Sequence, residues 1–220
     1  RLLELTKPVA TAVVPISAGR HIYKREPSFP IAVACDPAFN FVYEANIRYL
    51  HHLGEVTYFS PLADTSLPDV GFVYLPGGYP ELYLAALSAN RQMLQSIRRY
   101  VESGGKLLAE CGGMMYLCDE IRDKNGDVYP MAGVLHQSAT MENMKLRLGY
   151  RTLLYNETRL KGHEFHYSRL VEQQNPLPSC AVAYTAKGVE TDTPLYHYKN
   201  VWAGYTHLYW ADPVGNEWFT

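Results

Sequence analysis

From Ile31 to Ala109 the chain repeats one kind of unit: a short apolar run, a turn, then a stretch with helical periodicity. Ile31-Ala32-Val33-Ala34-Cys35 is unbroken by any polar residue and is closed by Asp36-Pro37. An apolar run without alternation suits a strand covered on both faces of its sheet. Phe41, Ala45 and Tyr49, with Val42, Ile47, Leu50 and Leu53 nearby, fall at helical spacing, and Gly54 stands where a helix C-cap belongs. Residues 56–59 and 70–75 read as further strands, 89–103 as an amphipathic helix ended by Gly104-Gly105, and 106–109 as a fourth strand. Such alternation predicts an α/β fold, a mainly parallel sheet with helices on both faces. From Met131 the pattern turns β-rich, with strands expected over 145–154, 163–170, 181–184 and 201–205.

A parallel sheet gathers the loops at the carboxyl ends of its strands around one crevice, where ligands bind. Two loops qualify: Pro76-Gly77-Gly78-Tyr79-Pro80-Glu81 after the third strand and Glu110-Cys111-Gly112-Gly113 after the fourth. The second has the composition of a nucleophile elbow. Small neighbours permit a tight strand-to-helix turn, and the next backbone N–H faces a developing oxyanion. A helix starting at Gly112 is expected to lower the Cys111 pKa. The local pattern fits a buried structural thiol equally well.

A cysteine nucleophile needs a base, which can lie far away in sequence. Of eight histidines, His207 is preferred, because Val201-Trp202-Ala203-Gly204-Tyr205 reads as a buried strand that would deliver His207 to the same crevice. His51 and His52 sit on the first helix, while His21, His136 and His197 have no supporting pattern. Gly162-His163-Glu164-Phe165-His166-Tyr167-Ser168 is dense in polar groups. On a strand its two histidines point to opposite faces, so no metal site is expected there. His163, Glu164 and His166 read as a substrate or interdomain contact, or simply as a half-buried strand. The Gly77-Gly78 loop lacks dinucleotide-binding spacing, and Gly105-Lys106 lacks that of a phosphate loop.

The 220 residues carry a formal net charge of -2, which offers no global attraction to nucleic acid or an anionic membrane. No apolar run is long enough to span a bilayer. Four scattered cysteines without a C-x-x-C pair suggest reduced thiols and a cytoplasmic protein. Residues 1–30, broken by four prolines and opening on Arg1, read as an interdomain connector, with 31–220 as the domain proper.

Taken together, the Pro76–Glu81 loop, Ala109-Glu110-Cys111-Gly112-Gly113-Met114-Met115-Tyr116-Leu117, the 162–168 segment and Gly204-Tyr205-Thr206-His207-Leu208-Tyr209 resemble the class I glutamine amidotransferase domain of cobyrinic acid a,c-diamide synthases. The resemblance implies a flavodoxin-like fold in which Cys111 attacks L-glutamine through a thioester and His207 acts as base and then acid. Gly77, Gly78 and Gly112 would line the oxyanion and substrate site. It further implies a separate N-terminal P-loop synthetase domain that uses ATP and Mg to amidate a corrinoid acceptor, with no cofactor in this domain itself. Two positions depart from many class I relatives: Tyr209 stands where a Glu would orient the histidine, and Met115 where a Gln follows the nucleophile. A Cys–His dyad is therefore expected. A non-catalytic, partner-binding module of the same fold and a stand-alone cysteine hydrolase are the alternative readings.

Overall fold

The computed structural model describes residues 29–210. The expected connector lies outside the described residues except for Phe29 and Pro30, which already belong to the first strand. The core is a six-stranded sheet. Strand β1 (Phe29–Ala34) pairs in parallel with β2 (Gly54–Phe59) on one side and β3 (Phe72–Leu75) on the other. Next comes β4 (Lys106–Glu110), then two strands from the C-terminal half: β14 (Val201–Gly204), parallel to β4, and β13 (Leu195–Tyr198), antiparallel at the edge.

Alternate residues of these strands feed two cores, as the period of a strand requires. Ala32, Val73, Leu75, Leu107, Ala109 and Val201 face one cluster, into which Met93, Ile97 and Val101 of α3 (Arg91–Glu102) and all of α4 (Gly112–Leu117) are packed. Ile31, Val33, Phe72, Tyr74 and Leu108 face the other, closed by Leu50 of α1 (Glu44–Leu53) and by Leu153, Leu160, Leu208 and Trp210. With both faces covered, β1, β3 and β4 have no use for polar alternation, and this is why they read as unbroken apolar runs.

The helix boundaries differ from the sequence reading. Helix α1 begins at Glu44, not Phe41, because the Phe41 N–H is donated to Gly77 O at 3.0 Å and Phe41 bridges to Gly77 outside any helix. The long helix starts at Arg91, since Asn90 breaks it from the short α2 (Leu84–Ala89) and its side chain accepts from Met93 N–H. Gly54 caps α1 through its N–H on Leu50 O, yet it is extended and is also the first residue of β2.

The C-terminal half is strand-rich, as expected, but is divided between sheets. Three short strands, β5 (Glu120–Arg122), β6 (Val128–Pro130) and β7 (Ser138–Thr140), join β10 (Arg169–Leu170) in one small sheet. A long hairpin of β8 (Arg147–Tyr155) and β9 (Thr158–His166) forms another with β11 (Val182–Thr185), β12 (Glu190–Thr191) and β15 (His207–Leu208). Thus β15, immediately after β14 leaves the central sheet, crosses to the hairpin and pairs with β9, His207 opposite His163.

Candidate active site

Cys111 is the single residue between β4 and α4, and its backbone has φ +48° and ψ −105°. This is a strained setting for any residue with a Cβ, and such strain persists only where surrounding structure over-determines it. Two bonds fix it here: the Cys111 N–H donates to Gly204 O at 2.7 Å, and the Cys111 carbonyl accepts from Met115 N–H at 3.0 Å. The elbow expected from sequence is therefore present.

The glycine loop lies directly against it. A Cβ on Gly112 would stand 3.2 Å from Gly78 N and 3.1 Å from Gly78 O, so only bare backbone fits between the two loops. Gly77 faces the other way, toward the histidine, and a Cβ there would overlap Cε1 of His207. Cys111, Gly77, Gly78, Gly112 and His207 thus come together. Among the described residues no hydrogen bond joins the Cys111 and His207 side chains. The thiol points instead at the Phe165 carbonyl, 4.0 Å away.

Burial sets the protonation of both groups. It pushes the Cys111 thiol up to about 12, helped by the negative charge of Glu81 and opposed by the Gly112 N–H. The expected lowering by the helix N-terminus is overturned: that effect amounts to about 0.3–1 kcal/mol, less than one pKa unit, and desolvation of a fully buried thiol outweighs it. His207 is pushed down to about 3, by burial first and then by the neighbouring His163 and His166. The resting pair is therefore neutral thiol and neutral imidazole. Among the described residues Nδ1 of His207 is buried without a hydrogen-bond partner, and the ring is held by contact: stacked on His163 at 4.9 Å and edge-on to Phe41 at 4.5 Å.

The 162–168 segment divides by strand parity. His163 lies on the outer face with His207, and its Nδ1 is 2.6 Å from the Tyr43 hydroxyl. Glu164 and His166 lie on the inner face. Glu164 forms a buried ion pair with Arg151 at 2.7 Å. The His166 Nδ1 lies 2.9 Å from Ser168 O, a contact that makes Nδ1 the protonated nitrogen and leaves Nε2, without a partner among the described residues, as acceptor. Among the described residues, no group of three or more His, Cys, Asp or Glu side chains could hold a metal ion.

Two cavities meet at this strand. The hollow at Cys111, about 20 Å³, is walled by Gly78, Tyr79 and Glu81 on one side and by Phe165, Tyr167 and Ser168 on the other. It has room for about one water molecule. A larger one, about 290 Å³, lies across His166 and Ser168 and is lined by Arg147, Glu164, Asp192 and Tyr205 among others. Sequence reasoning gave no role to Tyr79, Glu81, Phe165 or Tyr167, although all four stand inside the two motifs it singled out. Of the histidines set aside, His51 and His52 end α1 in solvent, His136 faces Asp119 at 3.4 Å, and His197 stacks on Trp202.

Known proteins resemble the chain in sequence and in fold. The chain is 40% identical over 185 residues to a hydrogenobyrinate a,c-diamide synthase of Pseudomonas aeruginosa, covering 81% of this chain and 41% of that protein. It is 38% identical over 209 residues to the synthase of the same name from Stutzerimonas stutzeri (94% and 46%). It is 40% identical over 188 residues to a cobyrinate a,c-diamide synthase of Fusobacterium nucleatum (81% and 41%). The chain thus spans less than half the length of these relatives. Among solved structures, PurLQS from Thermotoga maritima superposes with a TM-score of 0.57 at 19% identity, covering 82% of this chain and 87% of that one. A glutamine amidotransferase from the same organism gives 0.55 at 13% identity (83% and 76%). At these identities the likeness shows a shared fold, that of class I glutamine amidotransferases. Residues 30–214 match the CobB/CobQ-like glutamine amidotransferase domain, and the chain belongs to that family.

Proposed function

We propose that the chain is the glutaminase half of an ATP-dependent a,c-diamide synthase, supplying ammonia for amidation of corrinoid acetate side chains in cobalamin biosynthesis. The observation that carries this reading is the strained Cys111 elbow, packed against the Gly77-Gly78 loop and a buried neutral His207. In this mechanism Cys111 Sγ bonds to the side-chain carbonyl carbon of L-glutamine while His207 takes the thiol proton. Gly112 N–H, already aimed at the sulfur, and Gly78 N–H receive the charge that develops on oxygen. His207 then passes its proton to the amide nitrogen, the C–N bond breaks and ammonia leaves. Water, deprotonated by His207, cleaves the glutamyl thioester and restores the thiol.

Because both groups rest neutral, proton transfer accompanies attack; no standing thiolate precedes it. The one-water hollow also means that Tyr79, Phe165 or Tyr167 must move before glutamine can enter. These residues border an exposed apolar surface: Leu146, Leu148, Tyr150, Phe165 and Tyr167, on and beside the outer face of the hairpin, are all exposed, Tyr150 by 74%. Surfaces of this kind mark interaction sites. The chain spans less than half the length of its relatives, and a synthetase half in the remaining length is the occupant proposed here; its docking would open the hollow. ATP, Mg and the corrinoid acceptor belong to that half. Four free cysteines support a reducing, cytoplasmic setting.

The test is glutamine hydrolysis with and without the synthetase half, together with mapping of the adduct of a glutamine-analogue electrophile. The reading expects labelling at Cys111 and no turnover in Cys111→Ala. Turnover that survives this substitution would remove it.

A further inference from the structure

The family position that would hold an acidic partner for the histidine is Tyr209 here, yet His207 is not left to packing alone. Its neighbour Leu208 is gripped at both backbone groups by buried side chains from two other elements, β4 and α1. The Leu208 N–H donates to Glu110 Oε1 at 3.1 Å, and the Leu208 carbonyl accepts from Asn46 Nδ2 at 2.7 Å. Asn46 Oδ1 also accepts from Trp210 N–H at 3.0 Å. The Tyr74 hydroxyl donates to Glu110 Oε2 at 2.7 Å. Asn46, Tyr74 and Glu110 are each at least 98% buried.

Glu110 precedes the nucleophile, and the two residues hold opposite ends of one short segment. The Cys111 N–H takes Gly204 O, while the Glu110 carboxyl takes Leu208 N–H. Tyr205, Thr206 and His207 are strung between these anchors. The Glu110 side chain lies on the opposite sheet face from the thiol, with Tyr74 and Leu108, and takes no part in the wall of the cysteine hollow. It therefore touches no reacting atom and acts through the backbone it holds, beside a lesser through-space influence of its charge on the thiol.

We propose that Glu110, braced by Tyr74 and assisted by Asn46, is the positioning residue that sets His207 against Cys111, replacing the missing acidic member of the triad by a grip on the histidine strand. This rests on the glutaminase reading. A carboxyl is suited to the task in either protonation state, since Oε1 accepts from Leu208 N–H in both. Burial raises its pKa to about 8, so the neutral acid prevails at neutral pH, and glutamine is the isostere of that acid. The amide oxygen of Gln would accept from Leu208 N–H, and its NH₂ would donate to the Tyr74 oxygen, as Oε2–H of the neutral acid does, the reverse of the bond that Tyr74 donates to the carboxylate. Leucine fills similar space and accepts nothing.

The experiment measures glutamine kcat and KM, with thermal midpoint and circular dichroism, for Glu110→Gln, Glu110→Leu and Tyr74→Phe in the full protein with its synthetase half. Expected are kcat within about threefold of wild type for Gln, and a loss of about 100-fold in kcat with KM nearly unchanged for Leu, because loss of register of about 1 Å has that effect. Tyr74→Phe removes the brace but keeps the grip and should lose about three- to tenfold in kcat. A folded Leu variant with wild-type kcat overturns the proposal, as does a Gln variant as inactive as His207→Ala. Should the Leu variant not fold, wild-type kcat in Tyr74→Phe overturns it. A wild-type protein that neither hydrolyses glutamine nor is labelled at Cys111 defeats the glutaminase reading itself, an outcome separate from active wild type with active variants.

Discussion

Cys111 and His207 reach the same crevice by opposite routes. The cysteine stands at the end of a central strand, and its geometry is set by its immediate neighbours: Glu110 still in β4, two glycines that allow the turn, and α4 beginning at once. The histidine arrives after β14 has left the central sheet and is paired in a different sheet with β9, forty-four residues earlier in the chain. Local structure fixes the nucleophile. Contacts spread over α1, β3, β4 and β9 fix the base. Damage to the elbow should therefore act within its own turn, whereas the histidine is open to perturbation from several distant positions.

The sharpest way to separate the two is His207→Ala. Among the described residues Nδ1 of His207 has no hydrogen-bond partner, so removing the ring breaks no bond at that atom. General acid–base catalysis contributes about 10²–10⁴-fold. The variant should lose turnover on that scale while its far-ultraviolet circular dichroism remains native. A loss below tenfold would show that another group serves as base, with His163 or His166 next in reach.

The cysteine side is tested through its pH profile. With its pKa pushed from 9.0 to about 12, the resting thiol should alkylate with a rate that climbs with pH well past the free-thiol value. Fewer thiolates are partly offset by their greater nucleophilicity, leaving a rate about 30–60-fold below that of a thiol with the ordinary pKa of 9.0 near neutral pH. A profile that levelled near pH 7 would mean that the elbow forms a thiolate unaided. Gly77→Ala crosses from one side of the comparison to the other. It leaves Cys111 untouched but places a methyl where the His207 ring lies, and a roughly tenfold or greater fall in kcat is expected from the displaced base. Unchanged kcat would show that the ring adapts freely.

The same division explains what the sequence revealed. Strands β1, β3 and β4 were legible because burial on both faces leaves unbroken apolar runs, and the elbow was legible because Ala-Glu-Cys-Gly-Gly carries its own turn. Placing His207 at a strand's end also followed from the apolar run before it. Its real pairing did not, because β15 is two residues long and owes its existence to β9. Phe41 fitted a helical row, yet its amide was claimed by Gly77 from another loop, an interaction no periodicity reports. The thiol's pKa is not legible in sequence, because the helix N-terminus is visible there and the depth of burial is not. In sequence, Glu110 reads as elbow composition only. The available signal was a carboxylate closing a strand otherwise apolar from Leu107, a residue that must be paired if buried.

That pairing leads to an effect on the fold and not on the chemistry, a shift in stability with pH. Glu110 has its carboxyl raised from 4.5 to about 8 by burial, against the opposing pull of Tyr74 and Leu208 N–H. A raised pKa means that the folded chain holds a proton which the unfolded chain releases first. The stabilisation is fully present below pH 4.5 and is lost as pH rises through 8. Glu110→Gln keeps the acceptor for Leu208 N–H and does not titrate. Its thermal midpoint should therefore gain on wild type between pH 5 and 9, by about 2–4 °C for each kcal/mol at this chain size. Burial of neutral His207 works in the other direction and at lower pH, being lost as pH falls from 6.5 toward 3, so the two groups separate on one pH axis. A midpoint difference between Glu110→Gln and wild type that stayed constant from pH 5 to 9 would show that the carboxyl is ionised in the folded chain. The grip on Leu208 would then be that of a buried charge, and glutamine would no longer be its isostere.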